Sequence, residues 1–75
     1  MQTKYDFISF VEVEKKPKTS VWSCISNNGG YELGRVKWYG PWRQYSFFPV
    51  AGTVFNSGCL YDVVDFLRQL KENRG

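Results

Sequence analysis

The stretch Thr19-Ser20-Val21-Trp22-Ser23-Cys24-Ile25-Ser26-Asn27-Asn28-Gly29-Gly30-Tyr31-Glu32-Leu33-Gly34-Arg35-Val36-Lys37-Trp38-Tyr39 decides the fold. Thr19 to Ser26 is rich in β-branched and aromatic residues, the composition that suits a pleated strand. Asn27-Asn28-Gly29-Gly30 follows, and because Asn and Gly tolerate the positive φ of tight primed turns, the flanking strands are predicted to be antiparallel neighbours. Beyond the turn, Glu32 to Tyr39 sets Gly34, Val36 and Trp38 against Leu33, Arg35, Lys37 and Tyr39. One side of that strand is apolar and the other largely basic, so the sheet is expected to have two chemically different faces.

Toward the carboxy terminus, Gly40-Pro41 is the next turn and Trp42 to Phe48 a fourth strand. A short loop centred on Gly40 and Pro41 pairs Val36 with Tyr45, Trp38 with Arg43 and Gly34 with Phe47. The other face then carries Arg35, Lys37, Gln44 and Ser46, with Tyr39 and Trp42 at the loop end. An odd-length loop would instead place Tyr45 and Phe47 beside Lys37 and Arg35. After Pro49 the chain crosses to a helix that Asn56 or Ser57 can cap, since either side-chain oxygen can accept an unpaired first-turn N–H. Leu60, Val63, Val64, Leu67 and Leu70 recur at helical spacing, Cys59 and Phe66 widen the stripe, and Asp62, Asp65, Gln69 and Glu72 point away.

Toward the amino terminus, Tyr5 to Val13 alternates as a first strand, with apolar residues on both faces near Ile8 and Phe10. That pattern calls for a sheet covered partly on both sides, or for a bulge that swaps faces. Lys15-Lys16-Pro17-Lys18 then breaks the strand, because Pro17 cannot donate to a ladder. The expected architecture is α+β, a single small ββββα domain over residues 1–75 in which a four-stranded antiparallel sheet has one C-terminal helix packed on one face.

Composition is consistent with this. Leu, Ile, Val and Phe supply 20 of the 75 residues, above the roughly 20% floor below which chains tend to stay disordered. Fourteen Phe, Trp and Tyr residues, each able to bury ~150–250 Å², can stabilise so short a chain without metal or disulfide help. With no histidine and two cysteines 35 positions apart, neither a His-based relay nor a tetrahedral zinc site is expected, and no cofactor. Cys24 and Cys59 read as buried reduced thiols, with a disulfide as the alternative. No apolar run reaches the ~18 residues of a membrane span, and a cytoplasmic, non-enzymatic protein is expected.

The run from Leu33 to Pro49, Leu-Gly-x-x-Lys-Trp-Tyr-x-x-Trp-Arg-x-Tyr-x-Phe-x-Pro, followed by Cys59-Leu60 at the start of a helix, resembles small uncharacterised proteins of phages and bacterial mobile elements. The resemblance implies a phage or bacterial cytoplasmic setting and carries no assigned activity. In layout alone, four strands and a carboxy-terminal helix are similar to the units of the PC4, Pur-alpha and Whirly proteins, which bind single-stranded nucleic acid on their sheets.

The same run interleaves the cations Arg35, Lys37 and Arg43 with aromatic residues, a combination able to neutralise phosphates while stacking bases. Arg35, Lys37, Tyr39, Trp42 and Arg43 are therefore the candidate binding residues, for single-stranded nucleic acid or for a partner. The competing reading is that these aromatics fill a small core with a solvated basic rim. Tyr39 and Trp42 at a loop tip equally suit a protein interface, so a host protein or a second copy of the chain is the alternative partner.

Overall fold

The computed structural model describes residues 1–74. The strands are β1 (Ile8–Lys15), β2 (Ser20–Ser26), β3 (Glu32–Tyr39) and β4 (Gln44–Pro49), and the helix is α1 (Ser57–Arg74). They form one sheet in the order β1-β2-β3-β4, antiparallel throughout, followed by the carboxy-terminal helix that packs against β4 and the sheet. The expected α+β architecture is the observed one.

The connections differ in detail from the expected turns. Between β2 and β3 the loop is wider than a two-residue primed turn: Ser26 donates its N–H to Tyr31 O at 2.9 Å and accepts from Gly30 N–H at 3.0 Å. The positive φ that the sequence calls for falls on Gly29 (103°) and Gly30 (72°), not on the asparagines. Between β3 and β4 a single 3₁₀ turn, Gly40–Trp42, is closed by Arg43 N–H donating to Gly40 O at 3.1 Å, with Arg43 in the left-handed region at φ 52°.

That turn corrects the expected register by two positions. Trp38 pairs with Tyr45, Val36 with Phe47 and Gly34 with Pro49. Pro41, with its fixed φ, favours the helical turn, and the turn consumes Trp42 and Arg43, which were expected to begin the strand. A shift of two residues preserves which side chains share a face. Gly34, Val36 and Trp38 therefore still lie with Tyr45 and Phe47. Phe47 also covers Gly34: a Cβ built there would lie 2.5 Å from the ring.

The amino-terminal strand begins at Ile8, later than expected, because the residues before it fold back on its outer edge. Phe10 N–H donates to Thr3 O at 2.8 Å, Tyr5 N–H to Ile8 O at 2.9 Å, and Lys4 bridges Ser9. Ile8 and Phe10 turn to the helix, while Val11 and Val13 are exposed on the opposite face. A register shift between Glu12 and Glu14 places a bulge at Val13, farther along than the Ile8–Phe10 stretch that suggested one.

The core lies between the sheet and α1. Phe66 is fully buried, stacked flat on Phe10 at 4.0 Å between ring centres and meeting the edge of Trp22 at 5.1 Å. Ile8, Cys24, Leu33, Val36, Val63 and Leu70 complete it, each large side chain worth about 1.5–3 kcal/mol when fully buried. The helix starts where Asn56 Oδ1 accepts Cys59 N–H at 2.9 Å, so Asn56 is the cap. Its buried line is Val63, Phe66 and Leu70, flanked by Cys59 and Leu67. Leu60 and Val64, expected in the apolar stripe, are 50% and 60% exposed.

One further expectation shifts, and one holds in part. Asp65 and Gln69 do not face open solvent: Tyr5 O–H donates to Asp65 Oδ2 at 2.8 Å and accepts from Gln69 Nε2 at 3.0 Å, tying the amino-terminal segment to the helix. Both cysteines are free thiols, as read from the sequence, with Cys24 buried as expected and Cys59 only half-buried. Burial, with smaller contributions from Cys59 and Glu32, pushes the Cys24 thiol up to about 12, so it is protonated and unreactive near neutrality.

Candidate functional site

Alternation along β3 carries Arg35, Lys37 and Tyr39 onto the sheet face that the helix leaves open, since Val36 between them is buried in the core. β4 contributes Phe48 opposite Arg35, Ser46 opposite Lys37 and Gln44 opposite Tyr39. β2 contributes Ser23, paired with Arg35. Trp42 stands at the end of this face, on the 3₁₀ turn, and is 66% exposed.

The rings here form a chain of edge contacts. Tyr39 meets Trp42 at 5.0 Å and Phe48 at 5.9 Å between ring centres, and the Lys37 ammonium sits 4.6 Å above the centre of Phe48. Such geometry suits the ring quadrupoles and leaves ring surface accessible at the Trp42 end.

Glu32 is the acidic member. A register shift between Cys24 and Ile25 interrupts the β2–β3 ladder, so Leu33 joins the core and Glu32 turns to the open face. This corrects the assignment of Leu33 to the basic side. Glu32 Oε2 accepts from Ser23 Oγ at 2.6 Å and from Arg35 Nε at 2.8 Å. The Ser23 hydrogen bond, and then the bond to Arg35, hold the Glu32 carboxyl below its ordinary range. Arg35 is thereby fixed in place and partly neutralised.

Of the five residues singled out from sequence, Arg35, Lys37, Tyr39 and Trp42 are brought to one surface. Arg43 is exposed, but it occupies the left-handed corner of the loop instead of a strand position opposite Trp38. Among the described residues neither Lys37 nor Arg43 has a carboxylate partner. Phe48, Ser23 and Glu32 belong to the surface and were missed. Phe48 was legible, having the same strand parity as Ser46, whereas Glu32 depends on a bulge that alternation does not reveal. Chemically the surface can stack planar groups and attract anions. Among the described residues no cluster of three or more His, Cys, Asp or Glu side chains is placed to hold a metal, and no helix is long and apolar enough to cross a membrane.

Fold and surface together define a small ββββα protein with an aromatic, cationic open sheet face. Over 70 residues, covering 92% of this chain and 90% of the relative, it is 31% identical to an uncharacterized 9.3 kDa protein of Acholeplasma phage L2, and it belongs to that phage protein's family. The relative is a phage protein, as the Leu33–Pro49 motif implied. No protein-family model matches the chain. No solved structure matches it either, so the likeness to PC4, Pur-alpha and Whirly stays one of element order.

Proposed function

We propose that the protein is a non-enzymatic phage module, working in the bacterial cytoplasm, that binds single-stranded nucleic acid across the open face of its sheet. The observation that carries this reading is the contiguity of Tyr39, Trp42 and Phe48 with Lys37 on a face that no helix covers. Trp42 and Tyr39 stack bases, while Lys37, Arg43 and the partly neutralised Arg35 meet phosphates. Each stacked base is worth about 1–3 kcal/mol. With about three phosphates neutralised, log K falls with log salt at a slope of roughly −2.

Fluorescence anisotropy with labelled single-stranded and duplex oligonucleotides tests this. Going from ~50 to ~200 mM salt, affinity for the single strand is expected to fall roughly 20-fold, and Trp42→Ala is expected to weaken it roughly tenfold at constant salt. Absence of binding to every oligonucleotide at low salt overturns the reading.

The exposure of Trp42 at a loop tip favours a second reading, an adaptor or inhibitor that docks this tip on a host protein or on a second copy of the chain. Affinity capture from host lysate with and without nuclease separates the two. A protein partner that survives nuclease and is lost with Trp42→Ala selects the second reading. Light scattering that finds a strict monomer at high micromolar concentration removes the self-association form.

A further inference from the structure

The sheet has a second surface of interest, away from the open face: the outer edge of β4 where it runs beside α1. Val50 N–H donates to Leu33 O at 2.9 Å, which places this pair in the hydrogen-bonding phase of the β3–β4 ladder. In an antiparallel ladder such pairs alternate with non-bonded ones. Phe48, Ser46 and Gln44 accordingly bond inward to Arg35, Lys37 and Tyr39, and the N–H and C=O groups of Tyr45 and Phe47 point off the sheet. Among the described residues no strand pairs with them. Pro49, with no N–H, ends the run.

Beside this edge lies a groove of about 500 Å³, walled by Trp42, Tyr45 and Phe47 on the strand side and by Val64, Arg68 and Lys71 on the helix side. Its outer wall is the part of the helix that the core does not use, with Val64 60% exposed. The charged side chains lining it are both cations, and no carboxylate lines it. Arg68 shares its charge with Asp65 and Glu72, whereas Lys71 has no carboxylate partner among the described residues.

We propose that this groove takes an extended, acidic segment of a partner protein as a fifth strand. Main-chain hydrogen bonds to Tyr45 and Phe47 hold the segment, alternate apolar side chains lie on Val64, and carboxylates face Lys71 and Arg68. Charge decides between this occupant and a second copy. A copy pairing β4 with β4 offers Gln44 to Pro49, which contains no acid, and adds another Arg68 and Lys71 to a groove already cationic, while the acids of its β1, Glu12 and Glu14, flank the bulge at Val13 that interrupts pairing there. The site meets the open face only at Trp42 and does not rest on nucleic-acid binding there.

The test is an amide-resolved NMR titration of the full chain with an eight-residue peptide alternating valine and aspartate, and with its valine–lysine counterpart. The acidic peptide is expected to shift and protect the Tyr45 and Phe47 amides, to bind at least tenfold more tightly than the basic one, and to lose at least tenfold in affinity on the surface substitution Lys71→Glu. Three results overturn the proposal: unmoved Tyr45 and Phe47 amides at millimolar acidic peptide, equal binding of the two peptides, or shifts of the same amides with protein concentration alone, which assign the edge to a second copy. Oligonucleotide binding on the open face moves Lys37 and Tyr39 instead, with Trp42, which borders both surfaces, left out of the comparison, so failure of either proposal is read separately.

Discussion

The two edges of the sheet are built in opposite ways. At β1 the chain closes its own edge: Thr3 and Lys4 lie along it, and the Tyr5 hydroxyl, bonded to Asp65 and Gln69, fastens that flap to the helix. Past the flap, the bulge at Val13 and the charges of Glu12, Glu14 and Lys15 discourage further pairing. At β4 there is no flap, and the edge is limited by length and by Pro49 instead of being covered. The packing beneath differs too. Phe66 stacks on Phe10 under the β1 half, while Tyr45 and Phe47 under the β4 half stay half-buried. A protein this small has one helix to cover its sheet; its buried side chains meet core residues of β1–β3, and where it runs beside β4 a groove remains.

The largest effect expected is on that unequal packing. Phe66→Ala should cost about 3–5 kcal/mol in denaturant unfolding, since it empties the centre of the core. Phe47→Ala should cost clearly less; equal losses would break the contrast between the halves. Next is Gly34→Ala, expected to cost about 1–3 kcal/mol because its Cβ meets the Phe47 ring and the Phe48 carbonyl. That cost should shrink in a Phe47→Ala background, and an undiminished cost would show that Phe47 does not pin β4 to β3.

Tyr5→Phe sharpens the comparison of the edges, with an expected cost of about 1 kcal/mol. Hydrogen exchange should quicken at the Phe10 amide, which the flap covers, and stay unchanged and fast at Tyr45 and Phe47. The same variant reads a pH effect. The Tyr5 hydroxyl and then Arg68 hold the Asp65 carboxyl below its ordinary range, so its stabilisation is full above that range and is lost as pH falls through the lowered value. Acid unfolding should therefore be shallower in Tyr5→Phe, and identical pH profiles would show that the flap is not fastened through Asp65. The smallest effect is Arg43→Gly, which relieves a left-handed non-glycine residue. It should raise stability by up to about 1 kcal/mol and the melting temperature by a few degrees, while removing one phosphate contact from the salt slope of nucleic-acid binding.

Much of the fold was legible because its signals are local. Asn27 to Gly30 marks a turn whatever lies around it, alternation sorts β3 into two faces, and the heptad-like recurrence after Asn56 announces a helix. The errors fall where a local rule meets two acceptable solutions. Trp42 and Arg43 have strand composition, yet Pro41 and a left-handed Arg43 place them in a turn. Leu33 has the parity of Arg35, yet a bulge sends it into the core. Leu60 and Val64 match the helical period as well as Phe66 does, yet only one side of the helix meets the sheet.

By itself, then, the sequence determined the element order, the antiparallel pairing and the division of β3 into an apolar and a cationic side, because turn chemistry and period-two alternation act within a few residues. Only the tertiary structure decided that Glu32 joins the cationic face, that the amino-terminal flap closes β1, and that β4 is left open beside Lys71. Those outcomes depend on bulges and on where one helix settles across four strands, and such placements are fixed by packing between residues distant in the chain.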